Sequence, residues 1–197
     1  MTGLRAEGGD RVERVLWDGG SEACDTLLLH EGVVPATHIP LALGLAHDWD
    51  AVQRCWRPRV DEYGASSAAR IAVAGDAAGI GGWQAAIAAG RLAAVDAARR
   101  VGRLTEAGFA RRAGPLLAAR RASLALRPFL DALYPPPDWV LAPPEEATLV
   151  CRCEEVTAGQ VRAAARLGAT GPNQLKAYLR AGMGPCQGGS AARPSPR

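Results

Sequence analysis

Lysine is almost absent from this chain of 197 residues, in which Lys176 is the single example. The positive charge is therefore nearly all arginine, and 23 Lys+Arg against 20 Asp+Glu leave a net charge of +3. So mild a charge does not predict binding to nucleic acid or to a membrane surface, because both need concentrated basic patches. We therefore expect neither partner.

Long apolar runs are also missing from the sequence. No stretch approaches the roughly 18 apolar residues that a membrane-spanning helix needs. The N-terminal sequence MTGLRAEGGDRVERV lacks the apolar centre of a signal peptide. These absences predict a cytoplasmic protein. The hydrophobic content of 48% is sufficient for the core of one medium domain or two small ones.

The chain has five cysteines, and an odd number in a cytoplasmic protein argues against a framework of disulfides. Cys24 and Cys55 are isolated, and we interpret them as small buried hydrophobic residues. Cys151, Cys153 and Cys186 share the C-terminal segment, and thiolates are the ligands that iron–sulfur clusters require. A zinc site completed by a histidine is disfavoured, because the histidines lie in a different domain.

The first half of the chain has the element order of an α/β fold. Residues 11–29 alternate in polarity around the turn Asp18-Gly19-Gly20 and predict a β-hairpin. The apolar run at 71–75 predicts a buried strand, and a glycine-rich turn then leads into a helix from about 82 to 101. A strand, a glycine-rich turn and a helix in this order form ligand sites in α/β proteins.

The predicted helix at 82–101 carries a face of small residues that would let it pack closely on a sheet. That face consists of Ala86, Ile87, Gly90, Ala94, Ala97 and Val101. One or two further helices are predicted over 105–133, with a break or restart at 114–115 and a kink at Pro128. The arginines there, including Arg120, are assigned to a solvated face. A proline-rich segment at 134–144 predicts a linker and a domain boundary.

The glycine-rich turn carries the first candidate site. Its members are Gly75, Asp76, Gly79, Gly81 and Gly82. The Asp76 carboxylate can accept a hydrogen bond from a ribose or ribityl hydroxyl, and the glycines would let the backbone approach a ligand. The following helix N-terminus would favour negative charge on a flavin. A tight turn that caps the helix is the alternative explanation.

The C-terminal segment carries the second candidate site. TLVCRCEEVT predicts an extended segment that enters a helix through a capping box of Thr157 and Gln160. Helices over 157–168 and 172–180 should then return the loop at 183–188 to the first two cysteines of the site. This closure is expected to bury Val161, Leu167, Leu175 and Leu179.

Both sites resemble known proteins. EGVVPATHIPLALG and IAVAGDAAGIGGWQAAIAAGRLAA are similar to the final part of two-dinucleotide-binding flavoproteins. Among these, they most resemble FAD-containing subunits of sarcosine oxidase-like, opine oxidase-like and hydrogen cyanide synthase-like oxidoreductases. CRCEEVT and LKAYLRAGMGPCQG resemble the bacterioferritin-associated-ferredoxin-like domain that ends such subunits. The likeness covers residues 10–189, nearly the whole chain.

The resemblance implies a partial two-dinucleotide-binding flavoprotein fold followed by a small, mostly helical [2Fe–2S]-type domain. Together with the proline-rich linker and the aperiodic tail, the resemblance divides the chain into a FAD/NAD(P)-binding part at 1–103, a helical connector and linker at 104–144, the [2Fe–2S] domain at 145–189 and a disordered tail at 190–197. It implies oxidation of an amine or amino-acid derivative, with electrons passing between FAD and the cluster. The implied partner is a catalytic flavoprotein subunit of a hetero-oligomeric complex, with NAD(P) as a further candidate.

The sequence departs from this family pattern in two places. Family members carry a fourth cysteine, commonly five residues after the last one or three before it, where this chain has Ala191 and Met183. Ser190 offers only an oxygen ligand in place of a thiolate. The G-x-G-x-x-G motif that cradles the FAD pyrophosphate does not occur. The alternative function is therefore a non-catalytic fragment or a small iron–sulfur or interaction module.

Overall fold

A computed structural model describes residues 3–29 and 33–188 of the chain. The chain divides into two compact units, Met1–Gly32 and Val33–Arg197. The predicted disordered tail at 190–197 lies outside the described residues. The expected boundaries near residues 103 and 144 fall inside the second unit and stay predictions.

The first unit is a three-stranded antiparallel sheet. Its strands are β1 (Arg5–Glu7), β2 (Arg14–Trp17) and β3 (Gly20–Ala23), in the order β1-β2-β3. Trp17 pairs with Gly20 across the turn, and Gly19 in that turn has a φ of 106°. The predicted hairpin is confirmed. Glycine suits its turn because it adopts a positive φ without the clash that a Cβ atom would cause.

The second unit opens with a short helix and a hairpin. Helix α1 (His38–Ala42) precedes the antiparallel strands β4 (His47–Asp50) and β5 (Cys55–Pro58). Trp49 and Trp56 face each other across this pair with ring centroids 5.5 Å apart, edge to face. Such aromatic cross-strand pairs stabilise a two-stranded ribbon that has little other support.

The predicted buried strand at 71–75 is wrong. Residues 71–73 make only isolated pairing: the Val73 N–H donates to the Gly64 carbonyl, and the Ser66 N–H donates to the Ile71 carbonyl. Gly75–Ala78 forms a 3₁₀ helix instead of ending a strand. A buried parallel strand needs partner strands on its sides, and none is present among residues 33–188.

Helix α2 (Trp83–Arg100) confirms the predicted helix, but the face predicted to pack is wrong. Ile87 and Val101 on that face are 46% and 69% exposed. The buried positions of the helix are Ala85, Ala88, Leu92 and Asp96. Leu92 packs instead on the neighbouring helix, against Phe109 and Ala113. The partner of α2 is thus a helix and not a sheet. Packing on a helix buries a different row of α2 side chains from the row that a sheet would cover.

Helix α3 (Glu106–Leu124) starts at Thr105, whose side chain accepts the Gly108 N–H as an N-cap. The predicted break at 114–115 is wrong, because the helix continues through Pro115. Proline removes one helical hydrogen bond, and the packing of α3 on α2 holds the helix together on both sides of it. The chain breaks later, before α4 (Arg127–Leu133), which has its proline in the first turn.

The predicted linker is irregular apart from a short 3₁₀ turn at Asp138–Val140. Arg54 pairs with Asp138, and Arg162 donates to the Pro143 carbonyl, so side chains on either side of the linker hold it in place. Within the part of the chain that the structure describes, no helix is long and apolar enough to cross a membrane.

Asp96 is the buried charged residue of α2, with 3% of its surface exposed. Its carboxylate accepts hydrogen bonds from Arg99, at 2.7 Å, and from Arg100. Burial opposes ionisation, but the two guanidinium groups outweigh it and hold the pKa of Asp96 below its ordinary value. Because the folded pKa is the lower one, this stabilisation is present above about pH 4 and is lost as the pH falls below it.

Asp96→Asn should therefore lower the free energy of unfolding at pH 7 by about 1–3 kcal/mol, since it removes the buried negative charge with which both arginines pair. The difference from wild type should shrink between about pH 4 and pH 2, as the wild-type carboxylate is protonated. Urea unfolding of both proteins at pH 7 and at about pH 2 measures the difference in the free energy of unfolding. Asp48→Asn is the matched control, because the Asp48–Arg59 pair is exposed and should contribute little. An equal deficit at both pH values would contradict the assignment.

Candidate functional site

The first cysteine of the C-terminal site is a core residue. Cys151 ends strand β6 (Leu149–Cys151), which pairs with β7 (Val156–Thr157). It has 0% of its surface exposed. Its sulfur accepts a hydrogen bond from the Gly182 N–H at 3.3 Å. Backbone N–H groups that donate to a ligating sulfur stabilise its thiolate, so this environment suits a metal ligand.

Two helices carry the chain from the β6–β7 hairpin back to its start. The predicted capping box is confirmed: Thr157 accepts the Gln160 N–H, and the Gln160 side chain accepts the Thr157 N–H. Helices α5 (Ala158–Arg166) and α6 (Pro172–Leu179) correspond to the predicted helices. After α6, Arg180 adopts a left-handed conformation and its side chain pairs with Glu154 at 3.0 Å.

The loop at 183–188 returns to the first two cysteines, as predicted. Gly184 lies so close to Cys153 that a Cβ atom added to it would be 2.3 Å from the Cβ of Cys153. Side-chain atoms do not approach this closely. Glycine at position 184 is therefore what permits the contact between the loop and the cysteines.

Cys186 lies close enough to Cys153 to influence the ionisation of its thiol. The backbone N–H of Cys186 donates to the Cys153 sulfur and favours its thiolate. The hydrogen bond between the two thiols, burial and the nearby charge of Cys151 act in the opposite direction, and the pKa of Cys153 is raised above its ordinary value. Cys153 is exposed and Cys186 is half-buried, so these two thiols are open to the solvent side of the domain.

The donors agree in kind with a sulfur-ligated iron centre, which takes four thiolates where this domain has three cysteines. Among residues 3–29 and 33–188, no group of three or more His, Cys, Asp or Glu side chains is arranged to hold a single metal ion. A two-iron cluster differs from a single ion because its ligands divide into pairs, one for each iron. Cys153 and Cys186 are neighbours on the solvent side of the domain, and the buried Cys151 lies close enough to influence the ionisation of Cys153. Ser190 and Ala191 lie outside the described residues.

The hydrophobic core of this domain differs from the predicted one. Leu167 is 76% exposed, because α5 ends at Arg166 and no longer directs it inward. Val161, Leu175 and Leu179 are only partly buried. The buried apolar residues are Cys151, Val156, Ala158, Ala164 and Ala169. Small side chains thus form the core and allow the loop and the hairpin to come together.

A histidine from the other half of the second unit reaches the cysteine loop. The His38 Nε2 atom lies 3.4 Å from the Gly188 carbonyl oxygen, two residues after Cys186. This contact spans 150 residues of sequence, and no local pattern could have predicted it. It ties the end of the loop to α1.

The glycine-rich site has a different geometry from the predicted one. Asp76 lies in the 3₁₀ helix Gly75–Ala78 and not at the end of a strand. It is exposed, and its carboxylate makes no hydrogen bond or ion pair with the other described residues. A Cβ atom on Gly75 would lie 3.7 Å from Ala86, so the 3₁₀ helix packs beside the first turn of α2. The predicted proximity to the helix N-terminus is confirmed.

A shallow cleft lies beside this turn. Its lining includes Gly75, Gly79, Gly81, Tyr63, Leu124 and Arg120. The Leu124 side chain packs on Gly81, and the Arg57 side chain packs on Gly79. These glycines are thus already in contact with the protein's own side chains. The sequence context of Arg120, a row of arginines, predicts a solvated face, but its side chain donates to the Glu62 carbonyl at the rim of the cleft.

The C-terminal site has the features of a recognised class of iron–sulfur domain. Residues 149–189 match the family of BFD-like [2Fe–2S] binding domains. The match contains all three clustered cysteines and both short helices, and it agrees with the small, mostly helical domain predicted from the sequence. A [2Fe–2S]-binding-type domain is therefore present in this chain.

The chain as a whole is similar to subunits of known oxidases and synthases. It is 48% identical over 163 residues to an opine oxidase subunit from Rhizobium meliloti strain 1021, covering 81% of this chain and 34% of the relative. For an opine oxidase subunit from Agrobacterium tumefaciens strain Ach5, the identity is 45% over 163 residues, which cover 83% of this chain and 32% of the relative. For hydrogen cyanide synthase subunit HcnB of Pseudomonas aeruginosa, the identity is 32% over 163 residues, which cover 83% of this chain and 35% of the relative.

The predicted resemblance to subunits of opine oxidase-like and hydrogen cyanide synthase-like complexes is therefore confirmed. The chain spans about a third of the length of these relatives. No solved structure matches it.

Proposed function

We propose that this chain is a component of an FAD-dependent oxidoreductase that oxidises an amine or an amino-acid derivative. In this role it passes electrons between the flavin and an iron–sulfur cluster. The observation that carries the proposal is the return of the 183–188 loop to Cys153 within a domain of [2Fe–2S]-binding type. The relatives are named as subunits, and this supports the proposal that the partner is a catalytic flavoprotein subunit.

The residues proposed to hold the cluster are Cys151, Cys153 and Cys186. When bound, a [2Fe–2S] cluster supplies a one-electron carrier. Cys151 provides a buried thiolate that the Gly182 N–H stabilises. Cys153 and Cys186 provide a pair on the solvent side, where electrons can reach a partner. With three thiolates, one ligand position is left to water or to the Ser190 hydroxyl.

The residues proposed to contact the flavin are Gly75, Asp76, Gly79, Gly81 and Gly82. Asp76 is exposed beside the N-terminal turn of α2. Its carboxylate is therefore available to a ribityl hydroxyl, and the helix N-terminus favours an anionic ring edge. The side chains of Arg57 and Leu124 now pack on two of these glycines, and both would have to move for a ligand to reach the backbone there.

Anaerobic reconstitution tests the proposed electron-carrying role. The chain is incubated with iron and sulfide, reduced with dithionite and examined by electron spin resonance. We expect a paramagnetic signal on one-electron reduction that disappears on adding ferricyanide, because the site is reversibly redox-active. The Cys24→Ser, Cys55→Ser double variant should give the same signal. A wild-type sample that takes up iron and sulfide yet shows no reversible signal would contradict the role.

A further inference from the structure

Cys153 and Cys186 are placed for a reaction that needs no metal. Gly184 lies against Cys153, and Cys186 belongs to the same tight turn, which the Gln187 N–H closes by donating to the Gly184 carbonyl. The Cys186 thiol is thereby held close enough to influence the ionisation of Cys153. Close approach of the backbones at Gly184 holds the two cysteines in this arrangement.

The other three cysteines are less suited to this reaction. Cys151 is fully buried and its sulfur is engaged by the Gly182 N–H. Cys55 is buried in the β4–β5 region, and Cys24 belongs to the first compact unit. An oxidant from solvent reacts first with the exposed Cys153. The thiol next to the resulting mixed disulfide is that of Cys186, which can displace the oxidant's remaining half from Cys153.

We propose that the metal-free chain forms a reversible Cys153–Cys186 disulfide when it meets a low-molecular-weight disulfide such as oxidised glutathione. The Cys153 thiolate attacks one sulfur of the oxidant, which forms a mixed disulfide and releases one glutathione. The Cys186 thiolate then attacks the Cys153 sulfur and releases the second glutathione. The two protein thiols lose two electrons and two protons, and the oxidant becomes two molecules of the reduced thiol.

This disulfide would control metal loading. It occupies two of the three proposed cluster ligands, so the oxidised chain cannot bind iron through them until a thiol reductant opens the bond. This consequence rests on the proposed function, whereas the disulfide itself follows from the position of the Cys186 loop against Cys153 and requires no cluster.

Disulfide mapping of the full metal-free chain tests the proposal. After oxidised glutathione and alkylation of free thiols, mass spectrometry should find the Cys153–Cys186 linkage at about tenfold or more over any other pair. Cys151→Ser should keep the linkage, and Cys186→Ser should leave glutathione attached to Cys153. A dominant linkage through Cys151, or both thiols remaining unlinked in wild type, would overturn it.

A second experiment tests the disulfide and the cluster ligands independently of each other. The same oxidation is run on chain loaded anaerobically with iron and sulfide, and we expect linkage to form at least about tenfold more slowly because the thiolates are engaged. Equal rates in loaded and metal-free chain would contradict the cluster ligands while supporting the disulfide.

Discussion

Replacing Ala191 by cysteine should turn a labile iron–sulfur centre into a stable one. The variant adds a thiolate five residues after Cys186, the spacing that the family resemblance gives for the fourth ligand. A site with all four thiolates leaves no iron position open to water or oxygen. We expect the half-life of the reconstituted cluster in air to rise by at least about tenfold over wild type. The decay of visible absorption measures it.

The matched control is Ser195→Cys, which also adds one cysteine after Cys186 but at a different spacing. It should leave the half-life near the wild-type value. Equal stabilisation by the two variants would show that any extra thiol suffices and would contradict the ligand pattern. A wild-type cluster that is already as stable in air as that of Ala191→Cys would show that the missing cysteine does not matter.

Gly184→Ala should separate the cysteine loop from Cys153. The added methyl group would lie 2.3 Å from the Cβ of Cys153, so one of the two backbones must move. Overpacking of this kind typically costs about 1–3 kcal/mol. Because the contact also brings Cys186 to Cys153, the variant should lose disulfide formation and iron binding together, each by about tenfold or more. Disulfide mapping and iron analysis measure the two losses.

Gly114→Ala is the control for this substitution. A Cβ atom at Gly114 meets no atom within 4 Å, and alanine there should stabilise α3 by roughly 0.5–1 kcal/mol. Gly114→Ala should form the Cys153–Cys186 disulfide and bind iron to the same extent as wild type. If Gly184→Ala forms the disulfide and binds iron as wild type does, the close approach of the loop is not what positions Cys186.

The features predicted correctly from the sequence are those that local chemistry determines. The hairpin around Gly19, the α2 helix and the Thr157–Gln160 capping box each depend on a few neighbouring residues. The return of the loop to Cys153 can also be predicted, because two short helices joined by glycine leave few other paths. The [2Fe–2S]-type domain that contains Cys151, Cys153 and Cys186 is predicted by the family resemblance.

The incorrect predictions concern features that depend on distant partners. The run at 71–75 has the composition of a buried strand, but pairing partners decide whether a strand forms. The predicted buried face of α2 is wrong because its neighbour is α3 and not a sheet. Pro115 does not end its helix, since tertiary packing outweighs its local cost. The contact of His38 with Gly188 joins residues 150 positions apart and has no local pattern.

The most direct test of the cluster assignment is the iron and acid-labile sulfide content of the anaerobically reconstituted chain. Wild type should contain two irons and two sulfides per chain, the composition of a [2Fe–2S] cluster. The Cys153→Ser, Cys186→Ser double variant should contain neither, and it preserves the fully buried Cys151. Equal iron and sulfide in wild type and in this variant would contradict the assignment.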